Sequence, residues 1–187
     1  MTCINTIRQD KKEMSLFKPD YYIQNYEHLD PKKLTDQGIK LLCCDIDNTL
    51  VAYNDPDSNE KVKRFIARMK EAGLEVALLS NAAPKRAKRF SADLGVEKVY
   101  YLSLKPLQHN FRAVMKHYGV SPKQTALLGD QLFTDMLGAH IAGVYSILTA
   151  PLVQKDKWDT QINRFFEGFI YRYFDKHDIF HKGDFDD

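Results

Sequence analysis

Three cysteines, two of them adjacent, are too few to frame a disulfide-bonded fold. Cys43 and Cys44 sit inside an apolar run and read as small core residues, and Cys3 belongs to a loose polar leader. An excess of one charge is also missing: 27 basic against 25 acidic residues leave a formal +2, which gives no electrostatic case for a nucleic-acid partner. No stretch stays apolar long enough to span a bilayer, and the polar N-terminus lacks a signal peptide's apolar core. The expected location is therefore the cytoplasm. Internal repeats and low-complexity segments are absent as well. What is left, 187 residues with 44% hydrophobic and 28% charged, suits one soluble globular domain with a sizeable core and room for an appendage.

One stretch organises the rest, Leu41-Leu42-Cys43-Cys44-Asp45-Ile46-Asp47-Asn48-Thr49-Leu50-Val51. An apolar run long enough for a buried strand empties into two carboxylates one residue apart. An ionised carboxylate is costly in an apolar interior unless paired or metal-bound, so Asp45 and Asp47 are expected at the strand's carboxyl end. Residues i and i+2 of an extended segment project the same way, so both could face one small site. Such a pair suits a hard, oxygen-seeking cation such as Mg²⁺. A solvated Asp/Asn turn would explain this stretch equally well.

Along the chain, Met1–Met14 is polar and expected to be poorly ordered. A leader with Phe17, Tyr21, Tyr22 and Tyr26 follows, with a short helix begun by Asp30-Pro31 and stopped by Gly38. After the carboxylates, Ser58 is placed to cap a helix that buries Val62, Phe65, Ile66 and Met69. Strands are expected at Ile39–Asp45, Leu74–Leu79, Val99–Leu102, Thr125–Leu128 and Val144–Leu148. Between them lie a basic helix from Pro84, a helix with Leu107, Phe111, Val114, Met115 and Tyr118 inside, and one over Leu132–Ala142. This alternation predicts an α/β fold, a doubly wound, Rossmann-like parallel sheet of five strands. Residues 1–38 read as a leader packed on the core, 39–150 as the core, and 151–187 as an amphipathic aromatic helix with a polar tail that frays.

The polar residues fall where such a sheet would gather them. The first four strands release Asp45 and Asp47, then Ser80 and Asn81, then Lys105, then Asp130 with Asp135 a turn later. The carboxyl ends of parallel strands share one edge, so these groups converge on a site for a divalent metal and a phosphate. Singly, each has a plainer role: a helix cap for Ser80, a loop lysine for Lys105, turn or helix-start residues for Asp130 and Asp135. Thr49 reads as a turn hydroxyl that orders its loop.

Asp45-Ile46-Asp47-Asn48-Thr49 resembles the first motif of the haloacid-dehalogenase-like (HAD) superfamily. Leu79-Ser80-Asn81, Lys105-Pro106 and Gly129-Asp130-Gln131-Leu132-Phe133-Thr134-Asp135 are similar to its second, third and fourth, in order. The resemblance implies a phosphatase in which Asp45 is the nucleophile and Asp47 the general acid/base. It implies Ser80, Asn81 and Lys105 at the phosphoryl group, and Mg²⁺ held by Asp45, Asp130 and the backbone carbonyl of Asp47. Asp135 would support the metal or Lys105. Neither the gap from Thr49 to Ser80 nor that from Asn81 to Lys105 has room for a cap domain, so the site should be open to a bulky substrate.

Within the superfamily the wording is most similar to small bacterial phosphatases of subfamily IIIA, whose mitochondrial relatives dephosphorylate phosphatidylglycerophosphate. That implies a phosphorylated substrate at an anionic membrane surface, which the basic run Lys85, Arg86, Lys88, Arg89 would favour. The aromatic stripe Trp158, Ile162, Phe165, Phe166, Phe169, Ile170 and Tyr173, with Arg164 and Arg172 among its polar positions, is expected to dock on the sheet; a membrane interface or a partner groove is the alternative. Competing functions are a protein or small-metabolite phosphatase of the same fold, a phospho-acceptor receiver, and a scaffold with a vestigial site.

Overall fold

A computed structural model describes residues 14–153 and 158–187, with the side chains of 158–160 outside the description. The leader up to residue 13, including Cys3, therefore lies outside it, as does the Trp158 side chain.

Among the described residues six strands make one parallel sheet: β1 (Tyr21–Ile23), β2 (Leu41–Cys44), β3 (Glu75–Leu79), β4 (Val99–Tyr100), β5 (Thr125–Gly129) and β6 (Tyr145–Thr149), in the order β1-β6-β5-β2-β3-β4. Strand β2 is central, with Cys44 registered against Leu78 on one side and Leu128 on the other. The expected five strands are joined by a sixth, because the leader adds β1 to the edge beside β6. Three residues with no alternation carry no strand signature of their own, and pairing with β6 decides them.

Alternation along β2 sends its side chains to two cores. Leu42 and Cys44 pack with Val62, Phe65, Ile66 and Met69 of α2 (Glu60–Glu71) and with Ala87 and Phe90 of α3 (Pro84–Ser91). Leu41 and Cys43 face Phe111 and Val114 of α4 (His109–Tyr118) and Ala139 of α5 (Leu137–Ala142). The short α1 (Pro31–Asp36) adds Leu34 to the first core. Burial pushes both cysteine thiols up, which suits packing rather than reactivity. Asn59, not Ser58, caps α2, accepting from the Lys61 and Val62 amides at 3.0 and 3.1 Å; Ser58 instead donates to Asp93. Leu107, expected inside, precedes α4 and stands exposed.

The last helix, α6 (Trp158–Lys176), covers the β1–β6 edge through Ile170 and Phe174, against Tyr22, Leu148, Leu132 and Met136. The tail beyond it does not fray. The backbone of Asp186 donates to the Tyr22 carbonyl at 2.7 Å and its carboxylate accepts from the Tyr22 amide at 2.7 Å. Phe180 and Phe185 lie on the Tyr22 ring. The tail so covers an otherwise unpaired edge strand.

Candidate active site

The order in which strands are laid down reverses at β2: β3 and β4 lie to one side, β5 and β6 to the other. The crevice of such a sheet opens between the two strands flanking that switch, here β2 and β5. Asp45 leaves β2 with its amide on the Leu128 carbonyl at 2.9 Å, and Asp130 leaves β5 directly opposite. The chain then turns sharply through Asn48 at φ +63°, a conformation asparagine tolerates better than most residues. Thr49 donates to Asp130 at 3.2 Å, so the hydroxyl expected only to order its own turn also ties the β2 loop to the β5 loop.

Lys105 lies at the centre of the carboxylates. Its ammonium donates to Asp45 at 2.8 Å and to Asp135 at 2.6 Å, and all three side chains are buried. Asn81 holds the lysine's backbone amide at 2.9 Å, and the Ser80 hydroxyl accepts from the Ala82 amide at 3.1 Å. Burial pushes Asp45 up to about 6; Lys105 opposes that rise and Asp135 adds to it. Burial alone would lower Lys105, but Asp135 and Asp45 outweigh it and hold the ammonium above its usual range.

Asp135 rides on a π-helical turn, Leu132–Met136, that leads into α5 and brings it back against the start of its own motif. The Gln131 amide donates to it at 3.1 Å, and a Cβ on Gly129 would lie 2.3 Å from its Cγ. Glycine is required there by close approach. Gly129→Ala should therefore lower stability by about 1–3 kcal/mol, read by denaturant unfolding. An unchanged midpoint would mean that Asp135 can move aside.

Asp45, Asp130 and Asp135 each offer an oxygen within 4.8 Å of the others, all buried, which fits a hard divalent cation. The Asp47 carboxylate lies outside this cluster and pairs with Arg86 at 2.7 Å, at the rim. The basic run after Ser80 thus sends one member into the site. Arg164 comes from α6: its guanidinium binds the Asp130 carboxylate and, at 2.7 Å, the Asp130 carbonyl. Glu167 accepts from Arg164 at 3.0 Å and from the Leu132 amide at 2.6 Å, its carboxyl raised by burial against the pull of Arg164. An Arg/Glu pair three residues apart inside an aromatic stripe was the only local sign of this contact. The Asn48 side-chain carboxamide is buried and has no hydrogen-bond partner among the described residues, while its backbone amide donates to the Val51 carbonyl at 2.7 Å.

Residues 2–154 match the family described as mitochondrial PGP phosphatase. The probable phosphatase YqeG of Bacillus subtilis is 33% identical over 148 residues, covering 79% of this chain and 86% of that protein. The phosphatidylglycerophosphate phosphatase 1 of Arabidopsis thaliana is 26% identical over 155 residues, 78% of this chain but 44% of that protein. In fold, the cobalt-bound deoxy-D-mannose-octulosonate 8-phosphate phosphatase of Haemophilus influenzae superposes with a TM-score of 0.50 at 24% identity, over 63% of this chain and 70% of that one. Between Thr49 and Lys105 this chain carries only α2, β3, α3 and β4, with no inserted cap. It belongs to the mitochondrial PGP phosphatase family and is a cap-less phosphatase of the haloacid-dehalogenase-like type.

Proposed function

We propose that the chain is a Mg²⁺-dependent phosphomonoesterase that works through an aspartyl-phosphate and acts on phosphatidylglycerophosphate. The observation that carries the chemistry is the buried Asp45 carboxylate at the switch point, held at 2.8 Å by Lys105 beside Asp130 and Asp135. The name of the Arabidopsis relative and the absence of an inserted cap between Thr49 and Lys105 support the substrate.

In this reading an Asp45 oxygen attacks phosphorus and the ester P–O bond breaks. Asp47 gives its proton to the departing alkoxide. Asp47 then takes a proton from the water that attacks the same phosphorus, releasing inorganic phosphate and regenerating Asp45. Lys105 orients the nucleophile and offsets the negative charge that gathers on the phosphoryl oxygens, and Ser80 and Asn81 bound the pocket for them. Asp45, Asp130, Asp135 and the Asp47 carbonyl would hold Mg²⁺, which supplies charge neutralisation at the phosphoryl group.

The test is phosphate release from phosphatidylglycerophosphate in mixed micelles, beside p-nitrophenyl phosphate, sugar phosphates, nucleotides and a phosphopeptide, with Mg²⁺ or chelator. Metal-dependent release from the lipid above all other esters is expected; preference for a soluble ester would remove the lipid assignment. Asp47→Asn should lower kcat by about 10²–10⁴. With p-nitrophenyl phosphate, whose leaving group needs little protonation, this variant should accumulate a protein one phosphoryl group heavier. No such species by mass spectrometry would remove Asp47 from the second step.

A further inference from the structure

Helix α6 buries Ile170 and Phe174 but carries a second apolar face that it leaves exposed. Arg164 and Glu167 point into the fold, towards Asp130 and the Leu132 amide, while Phe165, Phe166 and Phe169 stand 65%, 51% and 50% exposed. The three rings touch, with centroids 5.2 and 5.6 Å from Phe165 to Phe169 and Phe166, and Ile162 extends the patch. A helix made only to complete a core would turn these rings inward. In the loop after β4, Leu102, Leu104 and Leu107 are 51%, 62% and 59% exposed. Leu102 and Leu104 adopt φ +45° and +48°, which leucine rarely does, and Leu104 directly precedes Lys105. Two exposed apolar banks are therefore tied to the carboxylate site, one on the helix whose Arg164 binds Asp130 and one in the loop that delivers Lys105.

Cations border both banks. Arg172 lies 4.5 Å over the Phe169 ring, and Lys88 lies 5.6 Å over Tyr101, with Lys85 exposed one turn earlier on α3. Among the described residues no helix is long and apolar enough to cross a membrane. Rings and leucines rimmed by cations are the composition of a surface that rests in the headgroup region of an anionic bilayer.

We propose that these two banks are a membrane-docking face, and that its partner is an anionic lipid bilayer; the proposal rests on the reading of the site as a lipid-phosphate hydrolase. Position argues for a bilayer over a protein. A partner or second copy seated across both banks would cover Asp45 and Lys105 between them. A bilayer in the same place brings its own phosphates to that opening. Phe165, Phe166 and Phe169 then enter beside the headgroup whose phosphate reaches Asp45.

The experiment is flotation of the full chain with vesicles of phosphatidylcholine alone or mixed with phosphatidylglycerol, comparing wild type with the triple variant Phe165→Ser, Phe166→Ser, Phe169→Ser. Wild type should float with the anionic vesicles, and the variant's partition should fall by about tenfold or more. Its turnover of p-nitrophenyl phosphate and its thermal melt should stay at wild-type values, since none of the three rings touches the carboxylate cluster. Wild type that floats with neither vesicle, or a variant that floats as well as wild type, would overturn the docking face. So would a wild-type dimer that the substitutions convert to a monomer, which would make the patch an interface between copies. Flotation without lipid-phosphate release would uphold the face and overturn the substrate reading; release from micelles without flotation would do the reverse.

Discussion

Asp45→Asn is expected to cut turnover by about 10⁴-fold or more, and in chelator to make the protein more stable. The two effects share a cause. Burial raises Asp45 from its ordinary 3.8 to about 6, so between those values the folded chain keeps a proton that the unfolded chain has released. Stability falls as pH rises through that window, and the full penalty remains at neutral pH. Asparagine carries no charge and can still accept from Lys105, which retains Asp135 as its ion-pair partner. A gain of on the order of 2–4 °C in Tm per kcal/mol recovered is expected at neutral pH, vanishing below about pH 4. Phosphate release and thermal melts at the two pH values measure both effects. A variant both inactive and less stable would show instead that the carboxylate is needed for folding.

Lys105→Met carries the second large effect, and here activity and stability fall together. Methionine matches the stem but removes the cation shared by Asp45 and Asp135, leaving two buried carboxylates without it. Losing one partner of a buried ion pair costs about 3–5 kcal/mol. Loss of charge stabilisation at the phosphoryl group should lower kcat by about 10²–10³. Acid should restore part of the stability, because protonating Asp45 removes one uncompensated charge. Urea unfolding at pH about 5 and at neutral pH tests this. A midpoint independent of pH would show that the two carboxylates find other partners.

Legibility in the sequence followed the range of the interactions involved. Four apolar runs, each ending in a polar residue, are local patterns of five or six residues. Once the sheet is parallel, chemistry at one edge follows without further information. Hence Asp45, Lys105, Asp130 and Asp135 are all legible in the chain, and the structure brings them within hydrogen-bond or ligand distance of one another. Arg86 was legible only as one of four basic residues on a helix. Its pairing with Asp47, 39 positions away, has no periodic signature.

The chain by itself thus determined the α/β class, the order of the motifs, the absence of a cap and the residues at the sheet edge. These rest on alternation, spacing and the cost of burying charge. Three features come from tertiary packing: the leader supplies β1, the polar tail pairs with it across more than 160 positions, and α6 turns Arg164 inward and Phe165, Phe166 and Phe169 outward. An amphipathic stripe states that a face is apolar; what covers it depends on which surface remains open after the sheet has formed.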